Sequence, residues 1–483
     1  MNEFILFSST YEKWVDAIRM QMMPGARGEE VKAARYELCR RLLREGERAG
    51  FRGNLWHCLL TESLLLDENP YTLAAEGRGN PRGALTAVAV AEMNEVLNFF
   101  RIDIRQLSMG LAGVRGMEIL ADYVPSGRRS CYNNKVREAI QDAAAAIAQC
   151  RDGAEVLQVL DIFYRNYGVG LLGLHKAFRI GDAGERRIEP IQNVVESYLD
   201  DLIGYDEQKR QLIENTESFL RGQRANNCLL YGEAGTGKSS SIRGILHRYY
   251  DQGLRIVEVY KHQYKEINEL IRSLKDRNYR FIIYMDDLSF EEFEVEYKFL
   301  KALIEGGLEE RPENVLIYAT SNRRHLVRES FDDRPDSPLD KHKNETVQEK
   351  LSLFSRFGIT IYYGAPAQKE YFHIVEELAK RYGLPYSSEE LRSLANSWEL
   401  SHNGLSGRTA AQLIDHLRGQ LAEDARRQLH QEQGKPLTEA PAGQQAAAAQ
   451  GAPADNAAQS AQKEEVPADG AAQEAQNVNT QEG

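Results

Sequence analysis

Apolar residues recur at helical spacing over the first part of the chain, and this pattern predicts its first domain. One example is the apolar face formed by Val31, Ala34, Leu38 and Leu42. Residues 84–100 show the same spacing and predict another helix. Turn-forming clusters such as Gly79-Asn80-Pro81 separate the helical stretches. We therefore predict a mostly helical N-terminal accessory domain over residues 1–190.

From residue 191 to 364 the pattern changes, because short apolar runs now alternate with stretches of helical spacing. The runs predict strands at residues 227–231, 254–259, 281–285, 314–319 and 358–362. Their near-continuous apolar character is typical of parallel strands that are buried on both faces. The region is therefore predicted to be an α/β domain, with a parallel sheet flanked by helices.

Helical spacing returns over residues 365–433, where we predict a small helical lid domain. Ser387 and Glu390 carry the signature of a helix N-terminus just before an apolar periodic stretch. Residues 434–483 consist mostly of Ala, Gln, Glu, Pro and Gly and contain no aromatic residue. Such a composition cannot bury a core, so we predict a disordered acidic tail.

Composition adds few constraints to this organisation. The net charge of −12 excludes a strong overall attraction to nucleic acid, although a local basic patch stays possible. The five cysteines are scattered and never spaced as C-x-x-C, which favours neither a zinc site nor a disulfide framework. No apolar run is long enough to span a membrane, and the N-terminus lacks the features of a signal peptide. We expect a cytoplasmic protein with no membrane partner.

The strongest chemical signal is a glycine-rich segment of the form G-x-x-x-x-G-K-S, which follows an apolar run and precedes helical spacing. In that context consecutive backbone N–H groups converge on phosphate oxygens at a helix N-terminus. Lys238 is expected to reach the β- and γ-phosphates, and the Ser239 hydroxyl to ligate Mg²⁺. The predicted nucleotide-binding residues here are Gly232, Glu233, Ala234, Gly235, Thr236, Gly237, Lys238, Ser239 and Ser240.

Two adjacent carboxylates end the apolar run at residues 281–285. A buried strand that delivers Asp286 beside the glycine loop would hold Mg²⁺ opposite Ser239. Asp287, one residue further on, could act as general base toward the attacking water. The alternative is a strand that simply ends in an acidic turn.

Together with later motifs, these segments resemble the AAA+ ATPases. The order of Gly232–Ser239, Asp286-Asp287, Thr320-Ser321-Asn322, Ser355–Gly358 and Gly407-Arg408 matches Walker A, Walker B, sensor 1, arginine finger and sensor 2. The segments at 286–291 and 405–410 are similar to those of a bacterial AAA+ family of uncharacterised function. The resemblance implies ATP and Mg²⁺ as ligands and covers residues 195–425.

The same resemblance assigns roles to further residues. It implies that Asn322 orients the attacking water or contacts the γ-phosphate, and that Arg356 acts on the nucleotide of a neighbouring subunit. It implies that Arg408 contacts the phosphates from the lid. Ile203 and Gly204 match the segment that lines the adenine pocket. A turn-forming asparagine and solvated arginines are the alternatives that the residues alone leave open.

Our leading hypothesis from the sequence is an Mg²⁺-dependent ATPase that forms a ring or partial ring. It would use ATP hydrolysis to remodel a macromolecular partner, either a protein or a nucleic acid. A slowly hydrolysing binding switch or loader is the alternative. Asp287 stands where many AAA+ members have Glu, and Tyr260-Lys261-His262 lacks the glycine of a peptide-threading loop. A small-molecule kinase is a third class, disfavoured because it needs neither a lid arginine nor a finger in trans.

Overall fold

The computed structural model describes residues 4–15, 29–78, 81–105, 118–127, 130–181, 188–192, 194–289, 296–305, 312–322, 356–402 and 404–432. All of these lie within one compact unit, Met1–Glu439. The prediction for the acidic tail concerns residues outside the described ranges.

The N-terminal region is mostly helical, as predicted. Its helices are α1 (Glu29–Ala49), α2 (Leu55–Leu66), α3 (Pro70–Arg78), α4 (Ala84–Phe100), α5 (Asn134–Ile147), α6 (Gly153–Asn166) and α7 (Gly170–Leu174). Before them, a short turn at Ser8–Thr10 leads into a π-helical turn at Tyr11–Val15. Helix α2 is apolar on nearly all sides and lies at the centre of this region's hydrophobic core. Burial in a helical core, rather than an amphipathic stripe, explains why apolar residues lie on nearly every side of the helix.

A seven-stranded sheet forms the second region, and its strands appear in the order β2-β1-β4-β5-β6-β3-β7. The strands are β1 (Ala177–Ile180), β2 (Ile188–Pro190), β3 (Cys228–Gly232), β4 (Leu254–Glu258), β5 (Arg280–Met285), β6 (Val315–Ser321) and β7 (Ile359–Tyr363). All neighbours are parallel except the pair β1–β2. The predicted α/β fold with a parallel sheet is confirmed.

The structure confirms all the predicted strands, with ends that shift by at most two residues. It adds β1 and β2, which lie where the sequence predicted helices. Strand β1 has only four residues and follows α7 almost directly, so its apolar positions merge with the helical pattern. The sheet therefore begins before residue 191, the start predicted for the α/β domain.

Helices α8 (Asp206–Leu220), α9 (Lys238–Tyr249), α10 (Ile267–Leu274) and α11 (Glu296–Glu305) accompany the sheet. Alternate residues of each central strand enter different cores. In β5, Phe281 and Ile283 join one hydrophobic cluster, whereas Ile282 and Tyr284 join the other. Burial on both faces explains why these strands have continuous apolar sequences.

The lid contains α12 (Gln368–Arg381), α13 (Ser388–Ser401) and α14 (Gly407–Glu432), as predicted for a small helical domain. At the start of α13, Ser387 Oγ accepts a hydrogen bond from the Glu390 amide at 3.3 Å. The Glu390 carboxylate in turn accepts the Ser387 amide at 2.8 Å, which completes the predicted capping box. Arg381 ties the lid to the sheet domain through a 2.9 Å ion pair with Asp201.

The helical N-terminal region is joined to the sheet near the amino end of β5. Arg277, in the turn before this strand, pairs with Glu68 at 3.1 Å and with Glu76 at 3.2 Å. The Tyr279 hydroxyl donates to the carbonyl of Tyr167 at 3.0 Å. These contacts hold the two regions together at the sheet edge opposite to the carboxyl ends of the parallel strands.

The structure also bears on the cysteines, on membrane-spanning helices and on clusters of metal-binding residues. The five cysteines are free thiols, and four of them are buried. Within the described ranges, we find no helix with the length and apolar character needed to cross a membrane. The same ranges contain no cluster of three or more His, Cys, Asp or Glu residues able to hold a metal ion.

Candidate functional site

The glycine-rich segment forms the loop between β3 and α9, at the carboxyl edge of the sheet. Neighbouring segments approach its glycines closely, as Gly237 and Gly235 show. Gly237 has a φ of +92°, and a Cβ atom there would lie 2.3 Å from a Leu202 methyl group. Gly235 has a φ of +75°, and its Cβ would lie 3.0 Å from the Cβ of Arg408 in the lid. The loop thus adopts left-handed conformations that favour glycine and allow the lid to approach closely.

Lys238, the first residue of α9, has its side chain folded over the loop. Its amine donates to the Gly232 carbonyl at 3.1 Å and to the Glu233 carbonyl at 2.6 Å. Only 6% of the residue is exposed. Burial lowers the pKa of the amine to about 8, although Asp287, Glu233 and Asp286 act in the opposite direction. A desolvated ammonium group with a lowered pKa therefore lies at the centre of the loop.

The other loop residues occupy defined places around this amine. The Glu233 amide donates to the Tyr363 carbonyl of β7 at 3.0 Å, and the Thr236 hydroxyl donates to the Glu233 carbonyl at 2.8 Å. Ala234 is exposed at the tip of the loop. In the first turn of α9, the Ser240 carbonyl accepts the Ser197 hydroxyl at 3.2 Å. The loop conformation is thus fixed by contacts with β7 and with the segment before α8.

Asp286 follows β5 and faces the glycine loop. Its Oδ1 accepts hydrogen bonds from Ser239 Oγ at 2.8 Å and from Thr320 Oγ1 at 2.5 Å. Burial would raise the pKa of this carboxyl, but hydrogen bonds led by that of Thr320 outweigh it, and the pKa is lowered. The result is an ionised carboxylate beside a serine hydroxyl, a pair of oxygen donors that suits Mg²⁺.

Asp287 has an unusual backbone conformation, with a φ of +51°. A left-handed conformation costs a non-glycine residue on the order of 1 kcal/mol, so surrounding contacts must stabilise it. The Asp287 amide donates to Thr320 Oγ1 at 3.0 Å. Its carboxylate accepts Asn322 Nδ2 at 2.8 Å. The structure thus brings two of the predicted catalytic residues, Asp287 and Asn322, into direct contact.

The lid residue Arg408 lies beside the loop. Its backbone amide donates to the Gly235 carbonyl at 3.2 Å. After burial, the Arg408 charge is a second factor that lowers the pKa of the Lys238 amine. On the other side, Ile203 packs against the hydrophobic core of the lid, and Gly204 has a φ of +80°. The residues predicted for the adenine pocket therefore lie where the lid meets the sheet domain.

Arg356 is the predicted site residue that the structure does not bring to this edge. It lies three residues before β7, whose first residue Ile359 pairs with Cys228 at the start of β3. A five-residue parallel strand rises ~16 Å, so Arg356 is at the opposite edge of the sheet from the glycine loop. Within one chain it is separated from the Lys238 amine.

Sequence reasoning gave no role to several residues that shape the site. Thr320 was noted only as part of a motif, although its hydroxyl contacts both acidic residues. Leu202 limits the space at Gly237, and Tyr363 anchors the loop through its carbonyl. The only signal in the sequence for Thr320 was its position, as a short polar residue two positions before Asn322. No local pattern marks the other two.

A family model described as "Protein of unknown function (DUF815)" matches residues 174–421, just over half of the chain. The chain belongs to the DUF815 family. The matched range begins just before β1 and ends within α14, so it contains the whole sheet and most of the lid. No curated protein matches the sequence.

Among solved structures, this member of the DUF815 family is similar to RuvB of Thermotoga maritima, a Holliday junction branch migration motor. That match has 18% identity and a TM-score of 0.33, and covers 48% of this chain and 67% of the RuvB chain. A single-residue variant of the same RuvB matches with 17% identity and a TM-score of 0.34, covering 48% and 67%.

Proposed function

We propose that this protein binds Mg²⁺-ATP and hydrolyses it as an AAA+ ATPase. The observation that carries the proposal is the 2.8 Å contact between Ser239 of the glycine loop and Asp286, which follows β5. Two residues 47 positions apart thus form an oxygen pair beside the Lys238 amine. This is the donor set that P-loop enzymes use for a nucleotide-bound Mg²⁺ ion.

In this proposal, each residue of the site has its own role in phosphoryl transfer. Lys238 and the amides of the loop would bind the phosphates, and Ser239 and Asp286 would hold Mg²⁺, which would supply charge neutralisation there. Asp287 accepts a proton from the attacking water, while Asn322 fixes the orientation of its carboxylate. Arg408 approaches from the lid.

The position of Arg356 supports an oligomeric mechanism. Because it lies at the sheet edge remote from its own glycine loop, we infer that it acts on the nucleotide of an adjacent copy. A guanidinium supplied in trans increases phosphoryl-transfer rates by about 10³ to 10⁵ in other systems. We therefore propose a ring or partial ring that uses ATP hydrolysis to remodel a protein or nucleic-acid partner.

The test is ATP turnover as a function of protein concentration, for the intact protein and for Arg356→Ala. Turnover per chain should rise with concentration in the intact protein and fall by at least about a hundredfold in the variant. Mixing Arg356→Ala with Lys238→Ala should restore part of the activity, because each variant supplies what the other lacks. Turnover per chain that is independent of protein concentration and unchanged in Arg356→Ala would contradict the oligomeric mechanism.

A slowly hydrolysing switch or loader is the second candidate, and one observation favours it. Asp287 is shorter than the glutamate of many AAA+ members by about one C–C bond, roughly 1.5 Å, and its carboxylate is engaged by Asn322. In this case Asp287→Glu should increase single-turnover hydrolysis and shorten the lifetime of partner complexes. Partner capture that is the same with ATP, with ADP and in Lys238→Ala would eliminate the switch.

A further inference from the structure

Thr320 lies near the end of β6, between the two acidic residues of the site. Only 2% of it is exposed. We propose that Thr320 is a positioning residue whose hydroxyl sets the geometry of both Asp286 and Asp287 for Mg²⁺-ATP. This inference rests on the proposed function, but its first test does not depend on nucleotide.

The hydroxyl of Thr320 makes two contacts of opposite kind. It donates its single proton to Asp286 Oδ1 at 2.5 Å and accepts the Asp287 amide proton at 3.0 Å. A hydroxyl has one proton and two lone pairs, so these contacts use it as donor and as acceptor at once. Neither an alanine nor a valine could replace either contact.

The backbone around Thr320 reinforces the same turn. The Thr320 carbonyl accepts the Leu288 amide at 2.7 Å. The Ser321 hydroxyl donates to the Leu288 carbonyl, also at 2.7 Å. Residues 286–288 are therefore clamped by the end of β6, and the left-handed conformation of Asp287 is a consequence of this clamp.

The clamp directs the two carboxylates to different partners. Asp286 Oδ1 receives Ser239 from the glycine loop and Thr320 from β6, so contacts from two elements fix its side-chain torsion. The left-handed turn at Asp287 places the next carboxylate on Asn322 instead. One hydroxyl thereby separates a metal-binding carboxylate from a carboxylate available to water.

The first test measures hydrogen exchange of the 285–289 segment in the protein without nucleotide. Loss of the hydroxyl in Thr320→Val should accelerate exchange of the Asp287 amide by at least about tenfold, as expected for one hydrogen bond. Thr320→Ser keeps the hydroxyl and should stay within about twofold of the intact protein. Thr216→Val is the matched control, because Thr216 is also buried and its hydroxyl contacts the Leu212 carbonyl at 2.8 Å and the Tyr318 hydroxyl at 2.9 Å, neither of which belongs to the 285–289 segment.

The second test measures the Mg²⁺ concentration that gives half-maximal enhancement of ATP binding. In Thr320→Val it should rise about five- to tenfold, while ATP binding without Mg²⁺ changes less than about twofold. Thr320→Ser should restore the intact value, and Thr216→Val should not depart from it. Thr320→Ala serves for the same comparison if the valine variant does not fold.

The outcomes separate the inference from the proposed function. If Thr320→Val leaves both exchange and Mg²⁺ dependence unchanged, or if Thr320→Ser is as defective as Thr320→Val, the hydroxyl is not a positioning group. If the intact protein shows no Mg²⁺-dependent ATP binding, the proposed function fails. If exchange of the Asp287 amide is nevertheless accelerated in Thr320→Val, Thr320 does stabilise the turn at residues 286–288. Its proposed role in positioning the carboxylates for Mg²⁺-ATP would then be refuted.

Discussion

Two carboxylates in different regions of this molecule are held in place in different ways. Where the N-terminal helices meet the sheet, the Glu76 side chain is 4% exposed and is paired with Arg277, whose side chain is 11% exposed. At the carboxyl edge of the sheet, Asp286 is held by the hydroxyls of Ser239 and Thr320. The first carboxylate is matched by a permanent cation. The second is oriented by neutral donors.

This difference in partners indicates that Glu76 has a structural role, whereas Asp286 has a functional one. A buried ion pair is costly to break, because removal of one partner leaves the other charge without compensation. Neutral donors fix a carboxylate in place and leave its charge available to a metal ion. The comparison therefore predicts that removing charge at the two sites affects different measurements.

The largest effect is expected for Asp286→Asn. The amide oxygen can still accept the hydrogen bonds of Ser239 and Thr320, so the free energy of unfolding should change by less than about 1 kcal/mol. Mg²⁺-dependent ATP turnover should fall by at least about a hundredfold, because the negatively charged metal ligand is lost. Paired measurements of turnover and urea unfolding test this. A variant that loses stability but keeps turnover would reverse the assignment.

Glu76→Gln should show the opposite behaviour. It leaves Arg277 with Glu68 as its acidic partner, and the Glu68 side chain is 42% exposed. We expect the free energy of unfolding to fall by about 2–3 kcal/mol, with ATP affinity unchanged within about twofold. The exposed pair Arg210–Glu207 offers a control, since Glu207→Gln should leave the free energy of unfolding nearly unchanged. Equal losses at the two positions would show that burial does not matter here.

The sequence predicted one of these two regions far better than the other. The glycine loop and Asp286 lie in short motifs whose chemistry follows from adjacent residues. The helices and the five strands from β3 to β7 were equally accessible from apolar spacing. In contrast, Arg277 and Glu76 are 201 positions apart, and their pairing depends on how two regions meet. The role of Thr320 was hidden for the same reason, because its partners lie on another strand end.

The smallest expected effect is a pH dependence of ATP affinity, which arises because the Lys238 amine can lose its charge. Arg277 stays charged at all accessible pH values, whereas burial lowers the pKa of Lys238 to about 8. Only the protonated amine attracts phosphate, so ATP affinity should be constant below this pKa and fall as the pH rises above it. The decrease should approach about tenfold per pH unit, as long as bound phosphate keeps the amine protonated.

Calorimetric titration with ATP from about pH 7 to about pH 9 would measure this decrease. Lys238→Ala should bind more weakly and show a flat profile over the same range, which separates the amine from other groups and from protonation of ATP itself. Stability has the opposite sign, because above the folded-state pKa the unfolded chain binds the extra proton and unfolding becomes less favourable with rising pH. If affinity in the intact protein does not fall above pH 8, the Lys238 amine is not the group that carries the phosphate charge.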